Sequence, residues 1–222
     1  MTSANPPRTN ITWTSVFGRA CGVLLDAIVR WLALARINPN VLTFLGLVVN
    51  TIAAFLFGYA NSDNQAHLFR YAGLVIIGSG FFDLVDGRVA RATNRVTRFG
   101  GFFDSVIDRY SDASQFFGLL VFYARGDRFF YVVLTAFVMV SAIMVSYTRA
   151  RAESLIGSCR VGFLERPERL VLVIIGALFN RMAPVLWVIA VLSTITVIHR
   201  IRYTWTRTEL VDRAAAKAGQ AA

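Results

Sequence analysis

Cysteine is almost absent from this 222-residue chain, in which Cys21 and Cys159 stand far apart without metal-ligand spacing. Two isolated thiols argue against a disulfide framework and a cysteine-based metal centre. Charged residues are also scarce, at 16% of the chain, whereas 56% of the residues are hydrophobic. This balance is too apolar for an ordinary soluble domain and predicts a protein that crosses a membrane several times.

Lysine is represented by Lys217 alone, so the net charge of +10 comes almost entirely from arginine. A basic chain could bind nucleic acid. In a chain this apolar, however, we expect the positive loops to face anionic lipid headgroups and no nucleic acid to be bound. The polar N-terminal sequence has no signal-peptide hydrophobic region, so insertion is expected to rely on the first transmembrane helix.

The hydrophobic runs predict an all-α integral membrane protein with six transmembrane helices and no second soluble domain. The predicted spans are residues 40–60, 69–89, 99–123, 128–149, 168–180 and 183–204. Arg19, Asp26 and Arg30 share one helical face ahead of them, which predicts an interfacial amphipathic helix. The expected organisation is a polar tail (1–13), the interfacial helix (14–38), the six-helix domain (39–205) and a cytoplasmic tail whose alanine-rich end frays (206–222).

The distribution of arginine predicts the orientation. Of the 23 basic residues, only Arg70, Arg125, Arg128 and Arg181 lie in, or within two residues of, the connections between spans one and two, three and four, and five and six. The positive-inside rule therefore places both termini and the two remaining loops in the cytoplasm. We expect a multi-pass protein of the plasma membrane.

Four aspartates interrupt the second and third predicted spans near that cytoplasmic face. Asp83 and Asp86 share a helical face at i, i+3, and Asp104 and Asp108 share one at i, i+4. Buried carboxylates repel one another and lose hydration, which a hard cation such as Mg²⁺ offsets by taking oxygen ligands. The connecting loop is rich in arginine, which suits phosphate. The stretch therefore predicts metal-assisted phosphoryl chemistry.

Three other interpretations of these acids remain. They could pair with neighbouring arginines in a solvated helix hairpin, which the apolar flanks disfavour. They could line the path of a small cation transporter, but they cluster near one membrane face beside arginines that repel cations. A lipid-binding scaffold would not need acids at this depth.

The complete spacing is Asp83-x2-Asp86-Gly87-x2-Ala90-Arg91-x8-Gly100-x3-Asp104-x3-Asp108. It resembles the CDP-alcohol phosphotransferase motif at all eight fixed positions. The resemblance implies an integral membrane enzyme that displaces CMP from a CDP-linked lipid such as CDP-diacylglycerol by means of an alcohol acceptor. It also implies a need for Mg²⁺ or Mn²⁺, with two ions bound, and a homodimer.

The same resemblance implies roles for individual residues. The metal ligands would be Asp83, Asp86, Asp104 and Asp108, and Asp108 would also be the catalytic base. The CDP-lipid would be bound near Gly87 and Arg91, with Thr97 as a further candidate. Asp112 continues the face of Asp104 and Asp108 outside the motif, so we expect it to form a structural ion pair.

The acceptor site is predicted at the end of the fourth span. Two arginines and a serine could hold a phosphate on the acceptor, with one more arginine from the sixth span; the alternative is that these arginines reach lipid phosphates. The residues are Ser146, Arg149, Arg151 and Arg200. Phosphatidylinositol-phosphate synthases carry Ser-x-x-Lys-x-Arg at this point, and Arg149 replaces that lysine here.

The stretches from Asp108 to Asp112 and from Glu165 to Leu170 also resemble the inositol-phosphate branch of the family. The resemblance therefore implies transfer of a phosphatidyl group from CDP-diacylglycerol to inositol phosphate, a small phosphorylated polyol. Glycerol 3-phosphate is the alternative acceptor.

Overall fold

The structure, a computed structural model, describes residues 38–93 and 96–220, without the side chains at positions 84, 86, 211, 212 and 214–220. The predicted polar tail and almost all of the interfacial helix therefore lie outside the described residues.

Within the described ranges the chain forms six α-helices and no strand, which confirms the all-α prediction. The helices are α1 (Pro39–Tyr59), α2 (Gln65–Ala92), α3 (Arg98–Arg125), α4 (Phe129–Ile156), α5 (Arg166–Leu178) and α6 (Met182–Gln220).

Local sequence explains where several helices begin. The side chain of Asn38 accepts a hydrogen bond from the Asn40 N–H at the start of α1, and Thr97 accepts one from the Gly100 N–H at the start of α3. Both contacts satisfy backbone donors that a helix N-terminus leaves unpaired. The first turn of α5 has a reciprocal capping box formed by Glu165 and Glu168.

Two helices run further than their hydrophobic segments. α4 continues to Ile156 instead of ending at residue 149, and α6 continues to Gln220 instead of ending near residue 204. Hydropathy marks the limit of the bilayer, whereas arginine, glutamate and alanine continue a helix beyond it. The sequence that was expected to fray belongs to α6 as far as Gln220.

Among the helices of the described ranges, four are both long and apolar enough to cross a membrane: α1, α2, α4 and the part of α6 that ends at Leu210. α3 has 28 residues, but its first half carries several charges. α5 has 13 residues, which is about 20 Å of helix against a hydrocarbon core of about 30 Å. Several membrane-length helices are thus observed, and α3 and α5 differ from them in charge or in length.

The helices pack as a closed ring. α1 packs against α2 and α3, α2 also packs against α5, α5 against α6, α6 against α4, and α4 against α3. The two helices that carry the aspartates therefore lie on either side of α1, although only residues 93–97 connect them.

Close packing and buried hydrogen bonds hold α1 between its two neighbours. Gly118 of α3 lies against the backbone of Ala54, where any side chain would overlap the Ala54 carbonyl group. Asn50, 2% exposed, hydrogen-bonds with Ser79 of α2 and accepts a hydrogen bond from Gln115 of α3. Inside a bilayer the hydrophobic effect does not drive helices together, so close packing and interhelical hydrogen bonds such as these stabilise their association.

Candidate active site

One guanidinium group joins the two aspartate helices. Nη1 of Arg166, the first residue of α5, lies 2.9 Å from Oδ2 of Asp83 and 3.0 Å from Oδ1 of Asp108. Nε of the same arginine is 3.7 Å from Oδ1 of Asp112. Carboxylates from α2 and α3 thus converge on the guanidinium group of Arg166.

The other two aspartates of the motif lie beside this contact. Asp104 is close enough to Asp83 and Arg166 to interact electrostatically with both. The backbone of Asp86 lies in α2, three residues after Asp83, and its side chain is outside the described residues. Among the side chains that are described, no group of three or more acids, histidines or cysteines is assembled as a metal site.

The donor set nevertheless fits a hard divalent cation. Asp83 and Asp108 bring oxygens from two helices to within 3.0 Å of one positively charged nitrogen. Carboxylate oxygens that converge on a shared cation are the ligands that Mg²⁺ and Mn²⁺ prefer.

A cavity of about 270 Å³ lies on the Asp104 side of the cluster. All three residues predicted to bind the CDP-lipid, Gly87, Arg91 and Thr97, line it together with Asp104. Gly100 also lines this wall, where a Cβ would come within 3.1 Å of the Thr97 hydroxyl and so crowd it. Glycine at this position therefore leaves room for the Thr97 hydroxyl that caps α3.

A second cavity, of about 460 Å³, lies on the Asp108 side. Ser146, Arg149 and Arg200, three of the four predicted acceptor residues, line it with Asp108. The motif helix α3 therefore faces one cavity with Asp104 and the other with Asp108.

Arg151, the fourth predicted acceptor residue, lies elsewhere. It lines a neighbouring cavity of about 260 Å³ with Tyr147 and Trp205, and Arg200 lies between this cavity and the second one. Helical residues two positions apart point in different directions, whereas residues three or four apart share a face. Ser146 and Arg149 therefore both line the second cavity and Arg151 does not.

Glu165 binds both of the remaining acceptor arginines. Its two carboxylate oxygens each lie 2.9 Å from Nη1 of Arg149, and Oε1 lies 2.9 Å from Nη2 of Arg200. Arg149 also contacts Glu153, at 3.1 Å. The positive charge in the second cavity is therefore partly neutralised by an acid from the segment that precedes α5.

The segment that carries Glu165 is fixed against α6. The Thr196 hydroxyl accepts hydrogen bonds from the Phe163 and Leu164 N–H groups, at 3.2 and 3.1 Å. Arg200, only 1% exposed, donates from Nε to the Val161 carbonyl at 2.8 Å and also to the Val145 carbonyl. Arg200 thus supports the backbone of this segment as well as bordering the cavity.

Asp112 forms an ion pair with the buried Arg169 of α5. This agrees with the expectation that Asp112 has a structural partner.

Sequence reasoning missed Glu165, Arg166 and Arg169 as parts of the site. All three occur in the run Glu165-Arg-Pro-Glu-Arg169 at the start of α5, for which sequence reasoning found a family resemblance but no role for any single residue. Its alternating acids and bases, directly before a short apolar helix, are the signal that could have identified them.

A family comparison covers the first cavity and every residue named above in the second except Arg200. The model of the CDP-alcohol phosphatidyltransferase family matches residues 36–199, which include all four motif aspartates and α5. The chain belongs to this family. It is therefore an enzyme that transfers a substituted phosphate group, as the motif predicted.

The curated relatives of this CDP-alcohol phosphatidyltransferase include synthases of inositol-phosphate lipids. It is 37% identical over 188 residues to the archaetidylinositol phosphate synthase of Pyrococcus horikoshii, which covers 84% of this chain and 93% of the relative. It is 33% identical over 205 residues to the phosphatidylinositol phosphate synthase of Mycobacteroides abscessus, which covers 88% of each. The resemblance to the inositol-phosphate branch is thereby confirmed.

Comparison with solved structures also finds a synthase of an inositol-phosphate lipid. The transferase resembles the Mycobacterium tuberculosis phosphatidylinositol phosphate synthase with CDP-DAG bound, with a TM-score of 0.73 and 32% identity over 82% of this chain and 94% of that one. The same synthase in complex with manganese and citrate gives a TM-score of 0.70, over 82% and 89% of the two chains.

Proposed function

We propose that this transferase moves the phosphatidyl group of CDP-diacylglycerol to inositol phosphate and releases CMP. The observation that carries the proposal is the pair of cavities on either side of the motif aspartates. One contains the predicted nucleotide residues beside Asp104, and the other contains predicted phosphate-binding residues beside Asp108.

The donor would occupy the cavity that Gly87, Arg91 and Thr97 line. A Cβ added at Gly87 would meet nothing closer than the Arg91 guanidinium, at 3.8 Å, so the backbone there is open to a nucleotide. The Arg91 fork suits a pyrophosphate oxygen pair, because guanidinium groups bind phosphate in a bidentate manner.

Asp83, Asp86, Asp104 and Asp108 would hold Mg²⁺ or Mn²⁺, with two ions as the family resemblance implies. When bound there, the metal acts as a Lewis acid that neutralises charge on the pyrophosphate. The convergence of Asp83 and Asp108 on one cationic nitrogen supports this assignment.

Asp108 would act as the base, because it borders the acceptor cavity. A hydroxyl of the acceptor loses its proton to the Asp108 carboxylate and forms a bond to the lipid-linked phosphorus. The bond from that phosphorus to the CMP oxygen breaks, and CMP leaves with the electron pair. Asp104, on the donor side, would help to hold the pyrophosphate in line.

Arg149, with Ser146, would bind the phosphate that the acceptor already carries. Arg149 lines the cavity with its guanidinium toward Glu165, and a dianionic phosphate offers the same kind of oxygen pair. Arg200 would contribute charge from the floor of the cavity.

For the membrane arrangement we propose that all six helices form a six-span bundle in the plasma membrane, with the active site and both termini in the cytoplasm, as a homodimer. The arginine distribution and the closed helix ring support the bundle and its orientation. α5 is short for a span, but it lies between α2 and α6 and so can be covered by protein.

The test is CMP release by the purified protein in detergent with CDP-diacylglycerol and Mg²⁺. Inositol phosphate, free inositol and glycerol 3-phosphate are supplied separately, and release with inositol phosphate alone is expected. Release with glycerol 3-phosphate alone would contradict the acceptor assignment and leave the family assignment standing.

The matched variants are Asp108→Asn and Asp127→Asn. Asp127 lies in the exposed turn between α3 and α4, away from both cavities. Asp108→Asn is expected to abolish release while Asp127→Asn retains it. Normal release by Asp108→Asn would contradict the proposed role of Asp108.

A further inference from the structure

Two neighbouring residues of opposite charge enter the two halves of the proposed site. Glu165 binds Arg149 and Arg200 in the acceptor cavity. Arg166 binds Asp83 and Asp108 of the metal-ligand motif. One dipeptide therefore presents an anion where phosphate is expected and a cation where metal is expected.

The contact distances are those expected if Glu165 occupies the place of a phosphate and Arg166 that of a metal ion. The carboxylate of Glu165 accepts at 2.9 Å from both arginines, as a phosphate would, and the guanidinium of Arg166 lies within 3.0 Å of two aspartates from different helices. Without Arg166 the carboxylates of Asp83 and Asp108 would lose their shared cation, and without Glu165 the arginine pair would keep only the contact of Arg149 with Glu153. Both losses are costly in a partly buried site.

Resting on the proposed function, we propose that Glu165 and Arg166 are an internal counter-ion pair that is exchanged for the acceptor phosphate and the divalent cation, so that the two binding events favour each other. Arg166 must leave Asp83 and Asp108 before those oxygens can serve a metal. Since it already lines the acceptor cavity, its released guanidinium has a phosphate as its next partner there.

The backbone needs no large movement for this exchange. The preceding segment is held to α6 through Thr196, and α5 is held to α3 by the pair of Asp112 and Arg169. Glu165 and Arg166 are each only partly buried, so their side chains can rotate at the N-terminus of α5, where Glu165 would give up its capping contact with the Glu168 N–H. When Arg166 rotates toward phosphate, it also moves away from Asp83 and Asp108. Anion binding in this way frees the carboxylates for a metal ion, and this couples the two binding events.

Binding linkage is reciprocal, so an anion in the acceptor cavity must tighten metal binding by the factor by which metal tightens anion binding. The experiment measures Mn²⁺ binding to the full-length protein in detergent, without CDP-lipid, from the electron paramagnetic resonance signal of free Mn²⁺. Sulfate serves as the tetrahedral dianion probe and is compared with chloride at equal ionic strength.

For the unaltered protein we expect sulfate to tighten Mn²⁺ binding by about fivefold or more. Arg166→Gln is expected to bind Mn²⁺ more tightly than the unaltered protein in chloride, since its competing cation is gone, and to lose the sulfate effect. If sulfate instead tightened Mn²⁺ binding by direct contact with the ion, the sulfate effect would persist in Arg166→Gln. The variant therefore distinguishes direct contact from the proposed coupling.

Arg160→Gln is the matched control, because Arg160 is exposed in the same segment and lines neither cavity. It should bind Mn²⁺ as the unaltered protein does, with the full sulfate effect. Glu165→Gln should bind sulfate more tightly in the absence of metal, as read by isothermal titration calorimetry.

The proposal is overturned if sulfate leaves Mn²⁺ affinity unchanged in the unaltered protein, a comparison that requires no variant to fold. It is also overturned if folded Arg166→Gln, checked by its melting temperature, binds Mn²⁺ no more tightly. Unchanged Mn²⁺ affinity in Arg166→Gln is what we expect if Arg166 only forms a structural ion pair with the aspartates. Failure here with intact CMP release would remove the coupling alone, whereas absent CMP release with every acceptor would contradict the proposed function.

Discussion

Asp112 of α3 and Arg169 of α5 form an ion pair in which both residues are almost completely buried, at 7% and 2% exposure. The two helices are not neighbours in the packed ring. The pair therefore holds α5, and with it Arg166, at a set distance from the motif aspartates.

Arg169→Met should strongly destabilise the protein. It leaves Asp112 as a buried carboxylate without its principal partner, and breaking a buried pair in this way costs about 3–5 kcal/mol. A lower melting temperature in detergent is expected.

The double variant Asp112→Leu with Arg169→Met should recover much of that stability, because no buried charge is left unpaired. Arg160→Met is the exposed control. An unchanged melting temperature for Arg169→Met would mean that the pair contributes nothing to stability.

Gly118→Ala should separate α1 from α3. The added Cβ would overlap the Ala54 backbone, and overpacking of this kind costs about 1–3 kcal/mol. Gly78→Ala is the matched control because a Cβ there meets nothing within 4 Å. We expect a lower melting temperature for the first variant only; equal melting temperatures would argue against the close approach of α1 and α3.

Arg149→Gln should raise KM for inositol phosphate while KM for CDP-diacylglycerol changes little. Loss of hydrogen bonds from a charged group to phosphate corresponds to about 10–100-fold in kcat/KM. Arg151→Gln should change kcat/KM much less, because Arg151 lines a different cavity. Equal losses in the two variants would show that the acceptor extends into that cavity.

Removal of divalent cations with EDTA should reduce CMP release to background, and added Mg²⁺ or Mn²⁺ should restore it. The physical reason is that pyrophosphate and clustered carboxylates repel one another without a cation between them. Asp104→Asn should require a higher metal concentration for half-maximal release. Full activity in EDTA would contradict the metal assignment.

Much of the architecture could be predicted because it depends on local pattern. Runs of apolar residues located the helices to within a few residues, apart from the extensions of α4 and α6. The motif spacing identified the family, since Asp83, Asp104 and Asp108 occur at set intervals on helical faces. The same periodicity could have excluded Arg151 from the acceptor cavity, because it stands two positions from Arg149.

The sequence by itself determined the membrane class, because hydropathy is a property of short segments, and its motif spacing identified the family. Only the tertiary structure decided that Arg166 would meet Asp83, 83 positions away along the chain. That contact follows from how α5 closes the ring between α2 and α6. Charge pairs between distant segments depend on which helices pack together, and local pattern carries no information about that.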